Sequence, residues 1–301
     1  TCCMQIAEIE LLGTAAAGVD EPGLVAHFPL DSDGDSSDGG FKASKVADVT
    51  FGGAGANAAT GTSASFNGSS SVIQHDWSAD LNPEGSFTLA LWARSNGGAG
   101  AWNSPVTSRH DLYNEGQASQ GYLIYDNNPS GVWTFWSGNG TVDGNWQLLD
   151  GPAVNLGEWE HLAIVYDSEA EMKKLYVNGE LEAEANDIVA PNDTTPFNIG
   201  AGQDYGDGFW FKGDLDDIGL WNIALSQDEI QGVMKNGVAP AGGDAPSLSI
   251  VNNGDGTLTV TFEGRLEAAA SVNGPWQDTG LTSPATIDAD QAQQYGRAVL
   301  D

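Results

Sequence analysis

Carboxylates, tryptophans, histidines and one pair of adjacent cysteines are the side chains of this sequence with chemistry to offer. The stretch "DSDGDSSDGG" places Asp31, Asp33 and Asp35 at alternate positions. An EF-hand calcium loop starts that way, then needs Gly next and Glu at its twelfth position. Ser36 and Lys42 stand there instead, so the EF-hand fails. Turn formation on a solvated loop accounts for these aspartates equally well. His27, His75, His110 and His161 are not linked in sequence to any nucleophile. No His-Glu-x-x-His, Gly-x-Ser-x-Gly or phosphate-loop pattern is present. The chain therefore reads as a non-enzymatic protein.

The aromatic residues are more suggestive. Trp102, Trp133, Trp136, Trp146, Tyr205, Trp210 and Trp221 are more than one core needs. Trp133 and Trp136 must point to opposite faces of one strand, because strand side chains alternate. Trp133, Trp136, Tyr205 and Trp210 are the candidate carbohydrate-binding residues. The plain alternative is that these rings fill the space between two sheets. Asn67, Asn139 and Asn192 each begin an Asn-x-Ser/Thr sequon and are candidate glycosylation sites.

Charge narrows the partners. Lys and Arg number 10 against 42 Asp and Glu, a formal net charge of −32. Nucleic acid and anionic membrane are poor partners for such a chain, and cations are good ones. No apolar run is long enough for membrane insertion. High acidity, few lysines and Gly/Asn/Asp-rich turns suit a secreted, extracellular or cell-surface protein.

Short strands must position these residues. "GLVAHFPL", "TSASFNGSSSVI", "GSFTLALWARS", "GYLIYD", "GVWTFWSG", "EWEHLAIVYD" and "FWFKGDLDDIGLWN" are rich in β-branched and aromatic residues. Most are bounded by Gly, Asn, Asp or Pro. "LYVNGEL" carries an Asn-Gly hairpin turn. One helix is predicted in "ALSQDEIQGVMKNG", with Ser226 as cap, Glu229 completing a capping box, Ile230 and Val233 facing inward and Gly237 as stop. Phe28, Phe66, Leu89, Leu91, Ile164, Tyr176, Ile218 and Leu220 are the predicted core. The fold class is all-β: a two-sheet antiparallel jelly roll, a small C-terminal β-sandwich-like module and an N-terminal free strand. The expected boundaries are strand 1–13, linker 14–22, jelly roll 23–240, linker 241–246 and small β domain 247–301.

The motifs "GLVAHFPLD", "ASFNGSSSVI", "GSFTLALWAR", "GEWEHLAIVYD", "KLYVNGEL" and "FKGDLDDIGLWNIALSQDEI" carry a resemblance. In this order and spacing, Gly23 to Val238 resembles a laminin G-like domain of the concanavalin A-like lectin/glucanase fold. The C-terminal unit is similar to small bacterial β-modules, and "MQIAEIELLG" to the last strand of discoidin-like domains. The resemblance implies two curved antiparallel sheets. It also implies a structural Ca²⁺ site, for which the matching positions are Asp31, the Asn67-Gly68 turn and Asp216. Laminarinases of this fold hold their acid and nucleophile in a Glu-x-Asp-x-x-Glu strand, and this sequence has no Glu-x-Asp.

Two functions are consistent with these features. The first is a structural or adhesive extracellular subunit, built into a homopolymer by head-to-tail strand donation. In "TCCMQIAEIELLG", Ala7, Ile9 and Leu11 alternate with Glu8 and Glu10, as a donated strand requires. Cys2 and Cys3, the only cysteines, fit a covalent link between subunits. The alternative is a lectin-like region of a larger secreted glycan-active protein.

Overall fold

The structure, a computed structural model, describes residues 23–97, 102–111, 118–127, 131–141, 146–203, 205–238, 248–262, 264–269, 276–288 and 295–299. Cys2, Cys3, Ala7, Ile9 and Leu11, the proposed assembly strand, lie outside the described residues. The chain divides into two units, Glu21–Ala241 and one holding Gly242–Asp301.

In the larger unit the strands run β1 (Leu24–Phe28), β2 (Lys45–Ala47), β3 (Thr50–Ala54), β4 (Thr62–Asn67) and β5 (Val72–His75). Then come β6 (Phe87–Ser95), β7 (Asn103–Asp111), β8 (Ser119–Asn127), β9 (Val132–Ser137) and β10 (Gln147–Ala153). The last are β11 (Glu160–Asp167), β12 (Met172–Val177), β13 (Glu180–Asn186), β14 (Phe197–Ile199) and β15 (Lys212–Trp221), followed by helix α1 (Gln227–Asn236). One sheet has eight strands in the order β13-β12-β11-β6-β15-β4-β3, with β1 also on β15. The other has seven, β10-β9-β8-β7-β14-β5-β2. All named strand pairs are antiparallel, the expected jelly roll.

Alternation sorts each strand's side chains between the core and the outside. On β6, Phe87, Leu89, Leu91 and Ala93 enter the core between the sheets. Phe28, Phe66, Ile164, Ile218 and Leu220 join them, as expected. Tyr176 corrects the expectation. Its neighbours Leu175 and Val177 take the inner face, so Tyr176 is buried on the opposite one. There it joins Ala90, Ala163, Val165 and Trp221 beneath Leu225, Ile230, Val233 and Val238 of the helix region. The helix starts where the sequence says it should. Ser226 accepts from the Glu229 backbone N–H, and the Glu229 carboxylate accepts in return from the Ser226 N–H at 2.6 Å.

The C-terminal unit contains β16 (Leu248–Asn252), β17 (Thr257–Phe262), β18 (Arg265–Ala269), β19 (Gln277–Asp278), β20 (Ala285–Asp288) and β21 (Tyr295–Val299). They form two three-stranded sheets, β16-β17-β20 and β19-β18-β21. Val260, Phe262, Leu266 and Ala285 make its small core.

Candidate functional site

The outer face of the seven-stranded sheet gathers aromatic rings. On β9, Trp133 and Phe135 enter the core, so Trp136 points outward. On β8, Tyr122 and Ile124 point inward, so Tyr125 points outward beside Trp136. On β7, Val106 points inward and Arg109 outward. Loops bring the rest. Trp102 lies 5.0 Å from Trp136 and 5.6 Å from Tyr125, centroid to centroid. Phe209 meets Tyr125 edge-on at 5.8 Å, and Trp146 lies 6.5 Å from Trp136. The Arg109 guanidinium sits 5.0 Å over the Trp146 ring and donates to the Tyr125 hydroxyl at 3.0 Å. Five aromatic rings and one cation thus form a continuous patch, with Trp102, Trp136, Trp146 and Phe209 half-buried and Tyr125 buried.

Backbone strain marks the same patch. Trp102 (φ 72°) and Phe209 (φ 51°) both occupy the left-handed region. Bulky residues rarely do so, and such strain persists only where surrounding structure holds it. The Phe209 carbonyl accepts from the Ser104 N–H at 2.9 Å. Gly202 packs where a Cβ would lie 2.7 Å from Phe209 Cβ and 3.1 Å from the Tyr125 ring, so only glycine fits. Gln74 Nε2 donates to Asn198 Oδ1 at 2.9 Å and to the Tyr205 carbonyl at 3.0 Å, tying the loop to β5 and β14.

Of the predicted sugar residues, Trp136 is in the patch. Tyr205 is exposed on the same tethered loop, and Trp210 is half-buried beside Ser104. Trp133 is corrected. It is fully buried in the core, and its Nε1 donates to the Glu160 carboxylate at 2.9 Å. Trp102 and Trp146 were legible only as surplus tryptophans. Tyr125, Phe209 and Arg109 are not legible in the sequence, since neither a strand residue's outward face nor a loop residue's contacts have a local sign. The sequons also divide. Asn67 is exposed, and Asn139 partly so. Asn192 is 1 % exposed, and its Nδ2 donates to Ser108 Oγ and the Thr195 carbonyl. It cannot accept a glycan in the folded chain.

The expected cation ligands also separate. Asp31 takes the Thr62 N–H and hydroxyl. Asp216 accepts from the Ala56 N–H and the Thr60 hydroxyl through Oδ2. The loop 55–61 lies against both carboxylates: a Cβ on Gly61 would sit 2.4 Å from Asp31 Oδ1, and one on Gly55 3.1 Å from Asp216 Oδ2. Asn67 and Gly68 are elsewhere. They end β4 opposite Lys212, while Asp31 contacts the strand's start at Thr62. Asn67 Oδ1 is occupied by the N–H groups of Ser69 and Ser70. Asp216 is 0 % exposed, and its Oδ1 has no hydrogen-bond partner. Burial pushes its carboxyl up to about 7, with the Asp217 and Asp31 charges adding. An orphaned buried oxygen of this kind fits a hard cation, which would hold the carboxylate ionised. Asp31, Asp216 and carbonyls of the loop would supply its ligands. Among the described residues no three His, Cys, Asp or Glu side chains gather as a metal cage.

A family model described as the concanavalin A-like lectin/glucanases superfamily matches residues 57–231. Comparison with curated proteins gives no match. Among solved structures, the binding domain of Paraclostridial Mosquitocidal Protein 1 is similar at 12 % identity and TM-score 0.54, over 91 % of this chain and 72 % of that one. A mutant of Trypanosoma rangeli sialidase displaying trans-sialidase activity is similar at 14 % identity and TM-score 0.50, over 70 % of this chain and 32 % of that one. At these identities the likeness is one of fold. No helix among the described residues is long and apolar enough to cross a membrane.

Proposed function

We propose a function from one premise, that the chain belongs to the concanavalin A-like lectin/glucanases superfamily: it is a non-catalytic, extracellular carbohydrate-binding protein. The observation that carries this reading is the patch of Trp102, Tyr125, Trp136, Trp146 and Phe209 on the outer face of the seven-stranded sheet. Pyranose rings present apolar C–H faces that pack on aromatic side chains, and a preorganised ring cluster loses little entropy on binding. Arg109 is buried and ties Tyr125 and Trp146 together through its hydrogen bond and its cation–π contact. Aromatic rings hold a ligand but supply neither the acid nor the nucleophile that glycoside hydrolysis needs. A structural Ca²⁺ at Asp31 and Asp216 belongs to this reading as a stabiliser, apart from the patch.

The test is calorimetric titration of the full chain with a panel of neutral and acidic oligosaccharides, repeated on Trp136→Ala. Saturable binding that the variant loses supports the reading. A panel without binding, or binding that Trp136→Ala leaves intact, overturns it.

A further inference from the structure

The five rings of the patch are not seated equally. Tyr125 and Trp136 stand on paired strands and pack edge to face at 5.4 Å. Trp102 leans on both of them, and Phe209 on Tyr125. Trp146, just before β10, has less to hold it. Among the described residues its one aromatic neighbour is Trp136, at 6.5 Å and 38°, and its indole N–H has no hydrogen-bond partner. The Arg109 guanidinium, 5.0 Å from the ring centre, is the nearer contact.

Arg109 is itself fixed from several sides. It is 7 % exposed. Its Nη1 donates to the Tyr125 hydroxyl at 3.0 Å and reaches the Gly202 carbonyl at 3.4 Å. The Thr195 hydroxyl donates to its backbone carbonyl. One side chain on β7 thus joins β8, the loop that carries Phe209, and the ring of Trp146. A planar guanidinium can donate in fixed directions and still lie over an indole face. A lysine ammonium, a compact charge on a flexible stem, does not hold both contacts at once. Buried as it is, the Arg109 side chain can place rings but cannot grip a sugar.

We infer that Arg109 is the positioning residue of the patch: it seats Trp146, and through that ring it sets glycan affinity. The second half of this inference rests on the glycan-binding reading. The first half concerns the free protein and does not. A ring already in place when the ligand arrives loses less freedom on binding. Arg109→Lys keeps the charge and loses the seat, so its effect on the ligand runs through Trp146 alone.

The experiment compares the full chain with Arg109→Lys, Trp146→Ala and the double variant, well below their melting temperatures. Near-ultraviolet circular dichroism is read first, without ligand. The difference between the parent and Trp146→Ala reports the seated indole. The same difference taken in the Arg109→Lys background should largely vanish. Affinity is then read by calorimetry with cellohexaose, xylohexaose, mannohexaose and a galacturonate trimer. For each sugar that the parent binds, either single variant should lose about fivefold or more. The double variant should stay within about twofold of Trp146→Ala, because both changes remove one effect. A merely structural Arg109 would lower the melting temperature and leave the spectrum and affinity of the folded protein unchanged. Tyr125→Phe keeps its ring but removes the acceptor of Arg109, so it should show a smaller loss of the same kind, and it serves where Arg109→Lys folds poorly. An unchanged difference spectrum, parental affinity in Arg109→Lys, or losses that multiply in the double variant would each overturn the inference. A parent that binds none of these sugars overturns its second half, while the spectrum still decides the first.

Discussion

The two outer faces of the sandwich start from the same alternation and end differently. Beneath the helix, the outward positions of the eight-stranded sheet include Ala90, Ala163 and Gly219. Gly219 leaves no room for a Cβ, which would lie 2.3 Å from the Trp221 ring and 2.9 Å from Val238. Small residues let the helix region approach, and Trp221, Ile230 and Val233 fill the seam. The corresponding positions of the seven-stranded sheet hold Tyr125, Trp136 and Arg109. Wide rings there are met by other rings on strained loops. One face is closed by a second hydrophobic cluster. The other carries rings that remain half-buried. The difference puts the buried helix seam and the proposed binding patch on separate surfaces.

The sharpest break of that comparison is on the covered face. Trp221→Ala should cost about 3–5 kcal/mol, which lowers the melting temperature by about 6–20 °C. Sugar binding by the folded fraction should persist. A thermal melt with a titration at low temperature reads both, and an unchanged melt would mean the helix does not close that face.

Asp216 lies beyond the helix seam and tests whether the covered sheet also hides a cation. Its folded pKa is raised from about 3.8 to about 7, so between those values the native state holds a proton that the unfolded chain has lost. Stability contributed by this group therefore falls as pH rises through that window and is level above it. Asp216→Asn should remove that slope. Ca²⁺ binds the ionised form, so it should raise the melting temperature more at pH 8 than at pH 5. At one hundred times its dissociation constant the gain is about 2.7 kcal/mol, and Asp216→Asn should lose it. Identical melts with Ca²⁺ and chelator at equal ionic strength would remove the site.

Trp136→Ala sharpens the comparison from the other side. It should weaken glycan binding by about tenfold or more, roughly 1.4 kcal/mol or above. It should lower the melting temperature less than Trp221→Ala does. A variant that melts as early as Trp221→Ala would make the patch a core in its own right.

What could be read beforehand follows the range of the interaction. Asn178 (φ 52°) and Gly179 (φ 77°) make the turn that "LYVNGEL" announces, because the chemistry is local. The chemistry of the Asn67 turn is equally local, but its distance from Asp216 is a matter of register along β4. Trp133 and Trp136 were separable by parity, yet parity does not say which face is inside. Tyr176 failed for the same reason, since Leu175, Tyr176 and Val177 are all apolar enough for either side. Arg109 and Phe209 join Tyr125 from 16 and 84 residues away, and no pattern within a strand encodes that meeting.

The smallest effect concerns how the covered face is held. Helix α1 has ten residues, too short to persist alone in water. Its stability comes from burying Ile230 and Val233, and the cap only adds to that. The Ser226 hydroxyl satisfies one of the free N–H groups of the first turn, and Asp228 and Glu229 favour the positive end of the helix. Ser226→Ala removes that acceptor and should cost about 1 kcal/mol, or about 2–4 °C in melting temperature. Ser226→Asp, which restores an acceptor, should recover most of the loss. Glycan affinity should not change in either variant, because the capped helix and the aromatic patch lie on opposite outer faces. A cap variant that weakens glycan binding at temperatures well below its melt would show that the two faces are coupled, and the separation drawn between them would fail.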